Sequence, residues 1–152
     1  MVYYALALII LIIDQCSKGL VVHNMALGQS ITMIPNFFYL TSIRNNGAAW
    51  SILEGQFVFF FIITAVVLII VTYYMQKLGR KQPLLGTSLG LIIGGTLGNF
   101  VDRLFRGEVV DFLHFYLIRY NFPVFNLADS ALFLGVILLI IYLFLDGKKE
   151  RQ

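Results

Sequence analysis

The side chains that can do chemistry in this chain are the ionisable ones that interrupt long apolar stretches, because charge is costly in such surroundings. Two carboxylates stand out. Asp111 follows the extended, β-branched run Gly107-Glu108-Val109-Val110, and Asp129 lies three residues beyond Asn126 at the start of an apolar helix. Two carboxyl groups held close share one proton, since like charges resist ionising side by side. The ionised member can then take a proton from water while the protonated member donates one. Pro123 supplies a turn that can fold one toward the other. Each also has a plainer account: Asp111 as a solvated loop carboxylate, and Asp129 as an acid complementing the N-terminus of a helix capped by Asn126.

Further polar groups sit among apolar neighbours. Asp14 and Lys18 are four apart with the acid first, the favourable order for a helical ion pair. Each would cost about 2.5–3.5 kcal/mol unpaired at mid-bilayer, so their plainest role is mutual neutralisation. Ser17 points to a different helix face from Lys18, and no Ser/Lys dyad is expected of them. Gly86, Gly90, Gly94 and Gly98 form a smooth stripe on which another helix backbone can close in, and Asp102 continues it. Asn99 and Arg103, also four apart, bring donors of fixed geometry to the same helix end. Either they grip a substrate carbonyl, or with Asp102 they anchor neighbouring segments. His23 and His114 read as interfacial residues, neither has a ligand at helical spacing, and no metal site is expected. Cys16 is the only cysteine, which excludes an intrachain disulfide.

These groups need a scaffold. Of the 152 residues 59% are apolar and 12% charged, where roughly 45–50% and about 25% are ordinary. That excludes a disordered tail and an average cytosolic enzyme. Four stretches, about 2–22, 57–75, 84–104 and 127–145, are long enough for membrane-spanning helices, and together they predict one α-helical, polytopic membrane domain over 1–152. The first stretch has no Lys or Arg ahead of it and no small-residue cleavage site behind it, so it reads as a mature helix rather than a signal peptide. The net charge of +3 is not arranged as a basic stripe with interleaved aromatics, and no nucleic-acid partner is expected. It sorts topology instead. Lys77, Arg80 and Lys81 in one connector, and Lys148, Lys149 and Arg151 in the tail, place those segments and both termini in the cytoplasm. The connectors 23–56 and 105–126 then face outward.

Five blocks fall in order along the chain: Asp14-Gln15-Cys16-Ser17-Lys18, Asn45-Asn46-Gly47-Ala48-Ala49-Trp50, Gly94 through Arg103, Gly107 through Phe112, and Phe125-Asn126-Leu127-Ala128-Asp129. In order and spacing they resemble the lipoprotein signal peptidase (signal peptidase II) family over nearly the whole chain. The resemblance implies an intramembrane aspartic endopeptidase of the bacterial plasma membrane. Its substrates are diacylglyceryl-modified prolipoproteins, cut immediately before the lipidated cysteine. Asp111 and Asp129 match the catalytic positions, while Asp14, Lys18, Asn45, Gly47, Asn99, Asp102, Arg103, Asn126 and Ala128 match positions that shape the site or contact substrate. No metal or nucleotide cofactor is implied, and the partners are prolipoproteins and membrane lipids, met by a monomer with its site on the extracytoplasmic side. The implied fold is four transmembrane helices with a small extracytoplasmic β-cradle, from pieces near 31–34 and 38–43, and an interfacial helix in the third connector. Trp50 stands where the family often has Phe, and Cys16 fills a variable slot. The alternative is a small transporter or proton-relay protein using Asp14, Lys18 and Asp102, which would string its charges along a midplane path and carry an inverted repeat that is not evident. An inactive lipid-binding protein of the same fold is a further alternative.

Overall fold

Backbone groups in hydrocarbon find no water to bond, so the apolar stretches close their own hydrogen bonds as helices. The computed structural model describes residues 1–47, 55–117 and 120–149, so Trp50, Arg119 and Arg151 lie outside the described residues. In chain order the elements are α1 (Val2–Asn24), β1 (Ser30–Ile34), β2 (Phe38–Asn45), α2 (Phe57–Tyr74) with a π-helical turn Met75–Gly79, α3 (Pro83–Arg106), β3 (Val109–Leu117), β4 (Tyr120–Asn121) and α4 (Leu127–Lys149). Four helical segments of 21 to 24 residues have mean hydropathies between 1.5 and 2.6, long and apolar enough to cross a bilayer. Pro83 starts α3, where its missing N–H is harmless. Gly107 stops it at φ 79°, its N–H donating to the Arg103 carbonyl.

The central helix is α3, because 61% of its spanning core is buried within the protein, against 22% for α1 and α4 and 6% for α2. The glycine stripe makes that burial possible. A Cβ on Gly90 would stand 2.8 Å from the Tyr3 carbonyl oxygen, and one on Gly94 would stand 2.7 Å from that of Ala7 and 2.8 Å from Ile10 Cβ. So the stripe receives α1, the close backbone approach that small residues allow between membrane helices. A second small surface receives α4: a Cβ on Gly95 would collide with the Ala128 carbonyl, and one on Gly135 would come within 2.7 Å of Ile92 Cγ1. By contrast α2 leaves side chains such as Val58 and Ile69 largely exposed, as lipid-facing residues are.

At one end of the bundle the strands form an antiparallel sheet in the order β1-β2-β3-β4. Phe38 pairs with Phe115 and Asn45 with Val109, and β2 carries one extra residue between Leu40, opposite Leu113, and Ile43, opposite Asp111. That bulge has a chemical consequence. It brings Asn45, rather than Arg44, onto the face of the sheet that carries Asp111, since a slip of one residue exchanges faces. Val21 and Met25 from α1 pack against Val110 and Phe112, which fixes β3 to the bundle. Farther out, Phe38, Phe115 and Phe125 stack in a row with centroids 4.6 and 5.8 Å apart. His114 is held in the sheet by Thr41 at 2.9 Å and Asn121 at 2.6 Å.

The interfacial helix expected in the third connector is corrected by the structure. Among the described residues that connector forms β3 and β4, so the cradle draws strands from both outer connectors. The physical reason is its β-branched and aromatic composition, Val109-Val110 through Tyr116, facing a neighbouring strand that satisfies its backbone laterally.

Overpacking the α1–α3 seam tests this arrangement. Gly94→Leu should destabilise the protein by about 1–3 kcal/mol, read as a lower unfolding temperature in detergent, whereas Gly19→Leu, where a Cβ meets nothing within 4 Å, should not. Equal stability of the two variants would contradict the seam.

Candidate active site

A helix N-terminus presents backbone N–H groups that need acceptors, and those of α4 shape one side of the site. Asn126 Oδ1 accepts from the Asp129 N–H at 2.9 Å, and Asp129 Oδ2 accepts in return from the Asn126 N–H at 3.1 Å. This reciprocal cap satisfies two donors at once. The Ala128 N–H donates across to Asp14 Oδ1 on α1 at 2.9 Å. Asp129 therefore does complement its helix, yet only with one oxygen. Its Oδ1 turns away and accepts from Asn99 Nδ2 on α3 at 2.7 Å.

Asp111 is no solvated loop carboxylate, for it is 1% exposed on β3. Its Oδ2 accepts from Asn45 Nδ2 at 3.1 Å and its Oδ1 from Asn126 Nδ2 at 2.6 Å. Asn126 thus touches both carboxyl groups. Burial pushes the Asp111 carboxyl above the usual range to about 7, the charge of Asp129 adds to this, and the donors Asn45 and Asn126 with the Lys18 charge oppose it.

Beneath the pair lies a layer of buried charge. Lys18 Nζ sits 2.9 Å from Asp14 Oδ2, 3.0 Å from Asp102 Oδ2 and 3.1 Å from Asn99 Oδ1, with no exposure of either ion-pair partner. Asp102 also accepts from Arg106 Nε and from the Val110 N–H, both at 3.1 Å, so it ties the end of α3 to the start of β3. Ser17 Oγ donates to the Asp14 carbonyl at 2.7 Å, which leaves it occupied by its own helix. Arg103 donates to the Gly47 carbonyl at 3.1 Å and lies over the Phe60 ring, 4.4 Å from its centroid. The Gly47 N–H in turn donates to Asn45 Oδ1 at 2.9 Å.

All eleven positions singled out from the sequence join one continuous hydrogen-bonded network. They divide by depth. Asn45, Gly47, Asn99, Arg103, Asp111 and Asp129 line a cavity of about 640 Å³, a size typical of sites that enclose a small ligand or a short piece of chain. Asp14, Lys18, Asp102, Asn126 and Ala128 are buried behind them. The opposite wall is apolar, with Phe122, Phe125, Phe133 and Leu134. Nothing in the sequence separates those four, or Phe60, from the many other apolar residues. Gln15 is different: its amide donates to Asp14 at 3.1 Å, to the Gly98 carbonyl at 3.0 Å and to Asp102 at 3.3 Å. An amide inside an apolar helix is the signal for such interhelical bonding. Among the described residues no three His, Cys, Asp or Glu side chains converge as a metal centre would need.

The family model described as signal peptidase (SPase) II matches residues 6–145. Two solved bacterial membrane enzymes share the fold. One is 43% identical, with 97% of this chain and 90% of that chain covered and a TM-score of 0.92. The other is 44% identical, covers 93% and 92%, and has a TM-score of 0.86. With its four spanning helices, the chain belongs to the signal peptidase II family of aspartic proteases, multi-pass membrane hydrolases that remove lipoprotein signal peptides.

Proposed function

We propose that Asp111 and Asp129 are the catalytic pair, hydrolysing the peptide bond immediately before the diacylglyceryl-modified cysteine of a prolipoprotein. The observation that carries this reading is the buried Asp111 carboxyl and the half-buried Asp129 carboxyl, bridged by Asn126, at the polar wall of a cavity whose other wall is apolar. The pair shares a single proton and titrates as a unit; with that proton on Asp111, Asp129 is the ionised member. Asp129 takes a proton from water as the oxygen attacks the scissile carbonyl. Asp111 donates its hydrogen bond to the carbonyl oxygen, where negative charge develops. The proton taken by Asp129 then goes to the departing nitrogen, the C–N bond breaks, and the pair returns to its starting state. Two carboxyl groups and one water suffice for amide hydrolysis.

Phe133 and Leu134 line the cavity from α4 and are also more than half exposed on its lipid-facing surface. This supports sideways entry: the acyl chains stay in the bilayer while the peptide reaches the pair. The site lies at the sheet end of the bundle, opposite Lys77, Arg80 and Lys81, which supports an extracytoplasmic site and cytoplasmic termini. We assign the activity to a monomer of a single domain, in a bacterial plasma membrane.

Three outcomes test the reading. Asp111→Asn and Asp129→Asn should each lower turnover by roughly 10³-fold, within the 10²–10⁴ typical of losing one acid or base. Full-length diacylglyceryl-prolipoprotein should accumulate while the variants stay folded, and normal processing in both would end the assignment. The rate should also fall as pH rises through about 7, because Asp111 then loses the proton that the carbonyl needs. A rate that stays flat from pH 6 to pH 9 would contradict that role. Finally, an unlipidated peptide should be a poor substrate beside its lipidated twin, since each buried CH₂ contributes about 0.8 kcal/mol to membrane partitioning; equal rates would remove the membrane-guided entry.

A further inference from the structure

We propose that Lys18 is a positioning residue of the reaction, acting through Asn99: it turns the Asn99 amide so that Asp129 meets an N–H donor and not a lone pair. This rests on the reading of Asp111 and Asp129 as the catalytic pair.

An ammonium group has three hydrogens and no lone pair. Those of Lys18 face Asp14 Oδ2, Asp102 Oδ2 and Asn99 Oδ1 at 2.9, 3.0 and 3.1 Å, so the end of the Asn99 amide toward Lys18 has to be its oxygen. The NH₂ end then points at Asp129 Oδ1, 2.7 Å away. Asn126 is pinned by the same logic. Its Oδ1 accepts from the Asp129 N–H, which can only donate, and its Nδ2 is left to serve Asn99 Oδ1 at 3.1 Å and Asp111 Oδ1 at 2.6 Å. A chain of two amides therefore runs from Lys18 to both carboxyl groups. Lys18 is fully buried and lines no part of the cavity, so it touches no substrate. The charged groups facing the pair are Lys18 and Asp14 from α1 and Arg103 from α3, with Asp102 and Arg106 behind them.

Without the ammonium, the Asn99 oxygen keeps the Asn126 N–H at 3.1 Å as its one remaining donor, and a half turn of the amide that sets this oxygen against Asp129 Oδ1 becomes accessible. Two oxygens at that separation repel unless a proton lies between them. The pair then ionises less readily, and the acidic limb of the rate profile moves to higher pH.

The test is the pH dependence of turnover on a lipidated peptide, using purified full-length protein in lipid vesicles. Asp14→Asn serves as the reference and keeps the buried charge balanced when Lys18 is changed. Adding Lys18→Met to it should move the acidic limb upward by about one unit and lower kcat roughly tenfold with little change in KM, the effect of losing one charge-assisted donor. Adding Lys18→Gln instead, which keeps an N–H without the charge, should bring the limb back toward the reference, short of the part that the Lys18 charge contributes through space. Asn99→Asp, which leaves Lys18 and its ion pairs intact, sets an oxygen opposite Asp129 and should shift the limb the same way even if the Lys18→Met protein does not fold. An unshifted limb in Lys18→Met or Asn99→Asp would overturn the proposal, and so would a Lys18→Gln protein that behaves like Lys18→Met, because the charge would then act only through space. Turnover that survives Asp111→Asn and Asp129→Asn would instead bring down the catalytic pair itself.

Discussion

An ammonium ion cannot stay inside a bundle of apolar helices unless every one of its hydrogens finds an acceptor. Lys18 meets that condition with one acceptor on its own helix and two on α3. Each acceptor is committed elsewhere as well. Asp14 receives the first turn of α4, Asp102 receives the start of β3, and Asn99 supports Asp129. One buried charge thus ties together α1, α3, α4 and β3 around the site. Removing a single partner would leave an uncompensated charge, which costs about 3–5 kcal/mol in buried pairs, so the layer holds its geometry under the reaction's changing charges.

Smooth helix surfaces make this closeness possible. Side chains along the stripe on α3 would keep α1 at a distance at which Asp14 and Lys18 could not reach both α3 and α4. At the other side of the site a single extra residue on β2 decides that an amide, and not a guanidinium, reaches Asp111. The carboxyl groups are held by donors from three neighbouring elements rather than by a mobile loop, as preorganised electrostatics requires. The apolar wall built by Phe122, Phe125, Phe133 and Leu134 keeps the pair partly dry, and dryness is what makes a shared proton favourable.

Asp129 shows why structural and chemical accounts of one residue need not exclude each other. A carboxylate has two oxygens. One caps α4, which fixes the side chain's rotamer, and the other is held by Asn99 at the cavity wall. The cap is thereby part of the site's rigidity. The glycine stripe, the cap and the buried ion layer are all ordinary devices of membrane helix packing, here converging on one end of the bundle.

From the sequence alone came the four spans, the ion pair between Asp14 and Lys18, the receptive face of α3 and, through their motif blocks, the two aspartates proposed as the catalytic pair. Those features are legible because they are local: hydropathy runs along the chain, and spacing by four specifies a helix face. The strand character of residues 109–117, the bulge at Leu40–Ile43, the amide orientations of Asn99 and Asn126 and the apolar wall opposite the pair were decided only by tertiary structure. Each depends on which group a distant segment presents, such as a strand edge for β3 or an ammonium for Asn99, and no periodicity encodes that. The raised proton affinity of Asp111 belongs to the same class, since burial and a neighbouring charge arise only once four elements have closed around it.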